Sequence, residues 1–300
     1  MEYICNDCPR QCGVVRAEVR QEGQVLPGFC HSPLQPVVAR AALHEWEEPC
    51  ISGSRGSGAV FFTGCNLRCC FCQNTTISMG GTGVPITAAR LRDIYGELIE
   101  KGAHNINLVT PTPYKKAILE SLAEPLPVPV VYNCGGYETT ATIDAFKGKV
   151  QIYLPDLKYL DPALAKRYSA AEDYPQVAAE AILHMYDQVG PYELDDDGLL
   201  KKGVVIRHLI LPGCLDNTKA VIDWVRDHFA DGQVLFSLMR QYVPCGRAAD
   251  YPEINRRLTD EEYDEAEQYL FDSGIEEGFV QEKDSASEAF IPAFDGTGVV

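Results

Sequence analysis

From Ala59 onward the chain alternates short apolar runs with stretches of helical periodicity. Ala59–Thr63 reads as a first strand, and Thr87 stands where the N-cap of a helix through Lys101 belongs, with Leu91, Ile94, Tyr95, Leu98 and Ile99 forming its apolar face. Further strands are expected over His104–Thr110, Val128–Cys134, Val150–Leu154, Val204–Leu211 and Gln233–Leu238. Helical patterns over Lys115–Leu122, Thr140–Phe146, Pro162–Tyr168, Pro175–Gln188 and Thr218–Phe229 fall between them. Parallel neighbours need crossover connections, so the alternation predicts an α/β protein whose sheet is covered by helices. The expected architecture is an incomplete six-unit barrel, a partial (β/α)6, rather than a flat doubly wound sheet. An acidic helix over Asp260–Ser273 and a short strand within Ile275–Gln281 should follow, and the Ser/Ala/Gly/Asp-rich end beyond Gln281 should be loosely structured. The pattern divides into a Cys-rich segment (1–52), the barrel (53–245) and a C-terminal extension (246–300).

The first strand leads into Thr63-Gly-Cys-Asn-Leu-Arg-Cys-Cys-Phe-Cys-Gln-Asn74, which places Cys65, Cys69 and Cys72 in the spacing C-x3-C-x2-C. Structural zinc and electron-transfer [4Fe–4S] clusters take four closed ligands, whereas three thiolates hold a cubane by three irons and leave the fourth open. Cys70 is the competing fourth ligand for a zinc loop, but zinc loops usually come as two separated pairs. A second set, Cys5-x2-Cys8-x3-Cys12 with Cys30, suits a closed site, either zinc or an auxiliary [4Fe–4S] cluster, and spacing does not choose between them or exclude unligated thiols. Cys50, Cys70, Cys134, Cys214 and Cys245 read as small buried hydrophobes.

Composition narrows the picture. With 300 residues and 46% hydrophobic content, the chain can bury one substantial core, and its 12 cysteines argue for metal ligands in a reducing compartment. No apolar run of membrane-spanning length occurs and the start has no signal-like pattern, so a cytoplasmic location with no membrane partner is expected. A net charge of -17 makes a nucleic-acid backbone an unfavourable partner. Gly53-Ser-Arg-Gly-Ser-Gly58 precedes a strand and lacks the terminal Lys-Ser/Thr of a phosphate-binding loop. His31, His44, His104, His184, His208 and His228 form no ligand-spaced pair and read as packed or surface histidines.

In a parallel barrel, ligands gather at the carboxyl ends of the strands. Those ends carry Thr110 and Thr112, then Asn133, then Asp156 and Lys158 on one face, then Arg207 among aliphatic residues. A buried Arg207 needs an anionic partner, either a ligand carboxylate or an internal Asp or Glu. The cysteine loop, with aromatic Phe71 before its last cysteine, resembles that of the radical S-adenosylmethionine (SAM) enzymes. More widely, the Cys5–Cys30 segment, Glu47–Gly53 with Arg55–Gly58, Cys65–Asn74, Asn107–Pro113, Asn133–Glu138, Leu154–Lys158, Arg207–Gly213 and Ile291–Asp295 resemble homologues of the pyruvate formate-lyase activating enzyme.

The resemblance implies a cluster on Cys65, Cys69 and Cys72 whose open iron is chelated by SAM, and reductive SAM cleavage to a 5′-deoxyadenosyl radical. It implies Phe71 near the adenine and Arg207 at the SAM carboxylate. Thr110 and Thr112 stand where many relatives carry Gly-Gly-Glu for the SAM amino group. Asn133 lies in a turn that carries aspartate in the activating enzymes, and Asp156 and Lys158 match their Asp-x-Lys segment. The implied partners are a reductant such as flavodoxin or ferredoxin and a protein or peptide substrate, with activation of a glycyl-radical enzyme as the expected role. An iron–sulfur electron carrier and a zinc-stabilised binding module are the alternatives, and the open-site spacing disfavours both.

Overall fold

A computed structural model describes residues 3–21, 24–79, 81–281 and 291–300. Two short strands, β1 (Ile4–Cys5) and β2 (Val14–Val15), pair antiparallel and hold the first cysteines. The chain continues through β3 (Val37–His44), α1 (Pro49–Ser52), β4 (Ser57–Phe62), α2 (Thr75–Ser78), β5 (Val84–Pro85) and α3 (Ala88–Glu100). Next come β6 (Ile106–Val109), α4 (Lys115–Ser121), β7 (Val130–Cys134), α5 (Thr140–Ala145), β8 (Ile152–Pro155), α6 (Pro162–Ser169) and α7 (Tyr174–Val189). The last elements are β9 (Glu193–Leu194), β10 (Leu200–Leu209), α8 (Leu215–His228), β11 (Leu235–Met239), α9 (Asp260–Ser273) and β12 (Gly278–Val280).

These strands make one sheet in the order β12-β11-β10-β8-β7-β6-β4-β3-β5, with β9 pairing off β10. From β4 to β12 every neighbour is parallel, as the strand–helix alternation requires. The expected strands are present, and the run within Ile275–Gln281 adds β12 beside β11. Pattern reading missed β3, whose register to β4 runs from Val38–Phe62 to His44–Ser57. Its burial runs from covered Val38, Ala39 and Ala41 to half-buried Ala42, Leu43 and His44 without strict alternation, so no period-two pattern marks it. Among the described residues no pairing joins β12 to β5, so the sheet is open and no barrel closes.

Alternation along each strand sorts side chains into two layers. Ile106, Leu108, Val130 and Tyr132 join the large core under the helices, where α3 contributes Leu91, Ile94, Tyr95 and Leu98. Val131, Ile152, Leu154, Val205 and Leu235 face the concave side with Cys50 and Ile51 of α1. The α3 helix begins where expected, with Thr87 accepting from the Arg90 amide, and α9 carries a full capping box of Thr259 and Glu262.

The tail departs from expectation. Residues 282–290, part of the stretch expected to be loose, lie outside the described residues. Residues 291–300 dock on β3: the Ala41 amide donates to Thr297 O at 2.8 Å, the Gly296 amide donates to Ala39 O at 2.9 Å, and Val299 is buried. Gly298 sits at φ +71°, and a Cβ there would collide with the Ala41 carbonyl, so glycine is what lets the tail approach. Backbone groups left free by β3, rather than any apolar periodicity, fix this segment.

The large core has a direct test. Ile94 is fully buried on α3, so Ile94→Ala leaves a cavity and should cost roughly 2–5 kcal/mol of stability, read as a lower midpoint in chemical denaturation of the anaerobic protein.

Candidate functional site

Strand β4 delivers the cysteine loop to the carboxyl edge of the sheet. Gly64, at φ +90°, leaves no room for a side chain against Ser32 and the Cys30 carbonyl, so the loop turns tightly beneath the N-terminal segment. The amides of Leu67 and Arg68 donate to Cys65 Sγ at 3.3 and 3.5 Å, and Ser169 Oγ donates to Cys69 Sγ at 3.1 Å. The buried Ser78 hydroxyl lies next to Cys72 and eases its thiol downward against burial. Burial pushes the thiols upward, to about 12 for Cys65 and about 11 for Cys72, and raises Cys69 as well, against the opposing pull of Lys158. As bare thiols they stay neutral; a metal supplies the positive charge that ionises them.

Cys65, Cys69 and Cys72 open on a cavity of about 220 Å³ that is also lined by Phe71, Thr110, Asn133, Asp156, Lys158 and Arg207. The loop and four consecutive parallel strand ends therefore converge, as the topology of such sheets leads one to expect. Thr110 adopts φ +60°, a strained conformation for a non-glycine residue, where its strand turns away from the cavity. Phe71 packs edge-on against Tyr168 and Tyr242, with ring centroids 6.3 and 5.9 Å away. Cys70 is buried and lies outside the cavity wall.

Thr112 takes no part in this wall. Its hydroxyl donates to Glu138 Oε1 at 2.6 Å, and Tyr132 donates to Glu138 Oε2 at 3.2 Å, all three buried. Burial, with too little hydrogen-bond compensation from Thr112 and Tyr132, lifts the Glu138 carboxyl to about 8.

Arg207 is bound internally. Its Nε donates to Asp156 Oδ1 at 2.9 Å, one Nη to Glu47 Oε2 at 3.2 Å and the other to Asn133 Oδ1 at 2.8 Å. Asn133 also donates to Glu47 Oε2, and Lys158 Nζ donates to Asp156 Oδ2 at 2.6 Å. Burial opposes the charge on Asp156, but Arg207 and then Lys158 outweigh it and hold the carboxyl below its usual range. Burial likewise opposes the charges on Arg207 and Lys158, and their carboxylate neighbours hold both above their usual ranges. The sequence marked Glu47 only as part of Glu47–Gly53 and gave it no role; a buried arginine announces that it needs a carboxylate but not which one. Its neighbour Glu48, also buried, is lifted to about 7 by burial against the pull of Arg207. His208, packed between Leu157 O and Thr218 Oγ1, is held near 4 by burial and is no ligand.

The four N-terminal cysteines also come together. Cys5, Cys8, Cys12 and Cys30 line a small cavity beside Arg16, whose Nη2 donates to Cys30 Sγ at 3.4 Å, while the Phe29 amide donates to Cys12 Sγ at 3.4 Å. Among the described residues no three His, Cys, Asp or Glu side chains are arranged around a point that one metal ion would occupy, at this set or at Cys65–Cys72. A cubane offers each thiolate its own iron and spaces the sulfurs more widely than a single ion does. The donor chemistry of the Cys65–Cys72 loop, three half-buried cysteines with amide and hydroxyl groups beside their sulfurs, fits such a cluster.

No family model matches the chain. Its fold is that of the radical SAM enzymes. Streptococcus suis SuiB, solved with S-adenosylmethionine, aligns over 73% of this chain and 48% of its own with a TM-score of 0.53 at 14% identity. Methylornithine synthase (PylB) aligns over 78% of this chain and 68% of its own with a TM-score of 0.50 at 13% identity. The chain thus spans about half the length of SuiB, and at these identities the likeness is one of fold. The uncharacterized protein MJ0674 of Methanocaldococcus jannaschii is 30% identical over 273 residues, 87% of this chain and 72% of that protein, and the chain belongs to its family.

Glu138 yields a pH test. Its carboxyl is raised when folded, so the contribution it makes is complete below the unfolded value of about 4.3 and is lost as pH rises through about 8. The neutral variant Glu138→Gln removes this proton linkage; its melting temperature should fall less than that of the wild type between pH 5.5 and 8.5, measured by scanning calorimetry.

Proposed function

We propose that the protein is a SAM-dependent radical enzyme of the kind represented by the pyruvate formate-lyase activating enzyme, acting on a protein or peptide. The observation that supports this reading is the meeting of Cys65, Cys69 and Cys72 with Thr110, Asn133, Asp156, Lys158 and Arg207 in one cavity at the carboxyl edge of a parallel sheet. In this reading the open sheet is the partial (β/α)6 arrangement, with the Cys-rich residues 1–52 and the extension 246–300 at its ends.

Cys65, Cys69 and Cys72 would hold the [4Fe–4S] cluster and leave one iron to SAM, which supplies a strong hydrogen-abstracting radical once a reductant such as flavodoxin or ferredoxin delivers an electron. The chain's own part is to bind and orient. The Leu67 and Arg68 amides and Ser169 stabilise thiolate sulfur. Lys158, tied to Asp156 and near Cys69, sets positive charge beside the sulfur ligands. Because each of its three nitrogens meets an internal acceptor, Arg207 serves chiefly to fix Asp156, Asn133 and Glu47 as a rigid wall for the SAM methionine end. Thr110 offers its hydroxyl and carbonyl at the next strand end, and Phe71 closes the wall beside the loop. Phe71 and the wall residues keep water from the cleavage point. The Cys5, Cys8, Cys12 and Cys30 set would take an auxiliary [4Fe–4S] cluster or zinc. SuiB, which shares the fold, has been solved with a precursor peptide, in keeping with a polypeptide substrate here.

Reconstituted anaerobically and reduced with dithionite, the protein should convert SAM to 5′-deoxyadenosine. Cys69→Ala should lower that rate at least 100-fold, whereas Cys214→Ala, at a residue that does not line the cavity, should stay within twofold of wild type. Full SAM cleavage by Cys69→Ala would remove the ligand assignment. Iron loading without any SAM cleavage would leave the electron-carrier reading in its place.

A further inference from the structure

One side chain joins the two cysteine sets. Arg10 lies between Cys8 and Cys12, yet its guanidinium reaches out of that segment to three carbonyls of the main domain. Its Nε donates to Asn66 O at 2.9 Å, and its two Nη atoms donate to Ser169 O at 2.9 Å and Ala170 O at 2.5 Å. Asn66 directly follows Cys65. Ser169 is the residue whose hydroxyl donates to Cys69 Sγ at 3.1 Å. Ser169 and Ala170 end α6, with Ala170 in the left-handed cap, so their carbonyls are free of helical partners and lie at the negative end of the helix dipole.

The guanidinium is held flat as well as paired. Phe29, immediately before Cys30, places its ring 3.8 Å beneath Arg10, and Tyr137 lies 5.1 Å away. The Phe29 amide donates to Cys12 Sγ, and its carbonyl accepts from Arg68 Nη1 at 2.9 Å. Asn66 is fixed from its other side, its amide donating to Tyr137 O at 2.6 Å. A planar five-donor fork suits three divergent carbonyls as an ammonium cannot.

We propose that Arg10 is a positioning residue through which the Cys5–Cys30 segment sets the Cys65–Cys72 ligand loop, so that the N-terminal cysteine set acts as a brace for the catalytic cluster. The role of the braced loop as a cluster site rests on the functional reading above. The brace itself is a property of the chain, and its test does not need SAM chemistry.

The test is peptide-resolved iodoacetamide labelling of the anaerobically loaded protein, in which each cysteine reports its own exposure over time. In Arg10→Ala, labelling at Cys65 and Cys69 should accelerate at least fivefold, while the buried Cys50 and Cys214 keep wild-type rates. Arg10→Lys should label like Arg10→Ala, since one ammonium cannot satisfy three carbonyls. Cys8→Ser should accelerate Cys69 in the same way, and the Cys8→Ser/Arg10→Ala double variant should be no faster than the quicker single one. If Arg10→Ala speeds every cysteine, it has lost its fold, and Phe29→Leu, which removes the platform but leaves the donors, takes its place with the same expectation.

A second measurement separates positioning from mere support. Donors to cluster sulfur favour the reduced state, so displacing Ser169 should make the cluster's midpoint potential more negative in Arg10→Ala. Rates at Cys65 and Cys69 within twofold of wild type, in Arg10→Ala or in a Phe29→Leu substitute, would overturn the brace. Accelerated labelling in a protein that never cleaves SAM would instead uphold the brace and remove the radical-enzyme reading.

Discussion

The carboxyl edge of the sheet is organised by one buried guanidinium. Arg207 stands on β10 and cannot be left unpaired at that depth, because an isolated charge removed from water is far costlier than a paired one. Its partners come from three other places in the chain: Asp156 after β8, Asn133 on β7 and Glu47 before α1. The pairing therefore aligns neighbouring strand ends and draws the connection after β3 across the concave face. The short helix α1, with Cys50 and Ile51 under the sheet, is held where that connection needs it. The same network leaves Lys158 bound to the second oxygen of Asp156 and turned to the cysteine loop. Positioning and polarity at the cavity thus have a common origin.

How far this was legible in the sequence depends on whether a feature is written locally. The strand–helix alternation and the C-x3-C-x2-C loop are local, and the parallel order of β4, β6, β7, β8, β10 and β11 follows from them. The helix start at Thr87 was legible because a capping side chain and its amide sit within one turn. What escaped were pairings across long separations. Glu47 meets Arg207 160 positions away, Thr112 turns to Glu138 instead of the cavity, and the tail finds the free backbone of β3. The open sheet escaped for a related reason: alternation fixes neighbour relations, whereas closure depends on strand stagger, which no residue pattern here encodes.

Thr112 shows how a shared position can carry a different use. Where the resemblance led one to expect an acidic residue, this chain has a hydroxyl, and a carboxyl stands instead on Glu138, in the turn after β7. That carboxyl sits behind the wall, raised by burial, and so is a hydrogen-bonding partner in the neutral form over much of the neutral range. It ties Thr112 and Tyr132 together and, through nearby Asn66, lies next to the cysteine loop. The acidic group is therefore set behind the cavity wall rather than on its surface.

The electrostatics of the cavity favour a bound metal over bare sulfur. Glu47 and Asp156 are offset by Arg207 and Lys158, so the polar wall carries little net charge to stabilise three buried thiolates. Without a metal, burial keeps Cys65 and Cys72 protonated well beyond neutral pH. Lys158 and Ser169 ease Cys69 only in part. Ionising all three requires positive charge supplied at the sulfurs themselves, which the cluster of the proposed reading would bring. In the proposed reading, ionisation of the three thiols and loading of the cluster would be one event. Before such loading the loop would be held by contacts other than the metal, and Arg10 makes contacts of that kind with the carbonyls of Asn66 and Ser169.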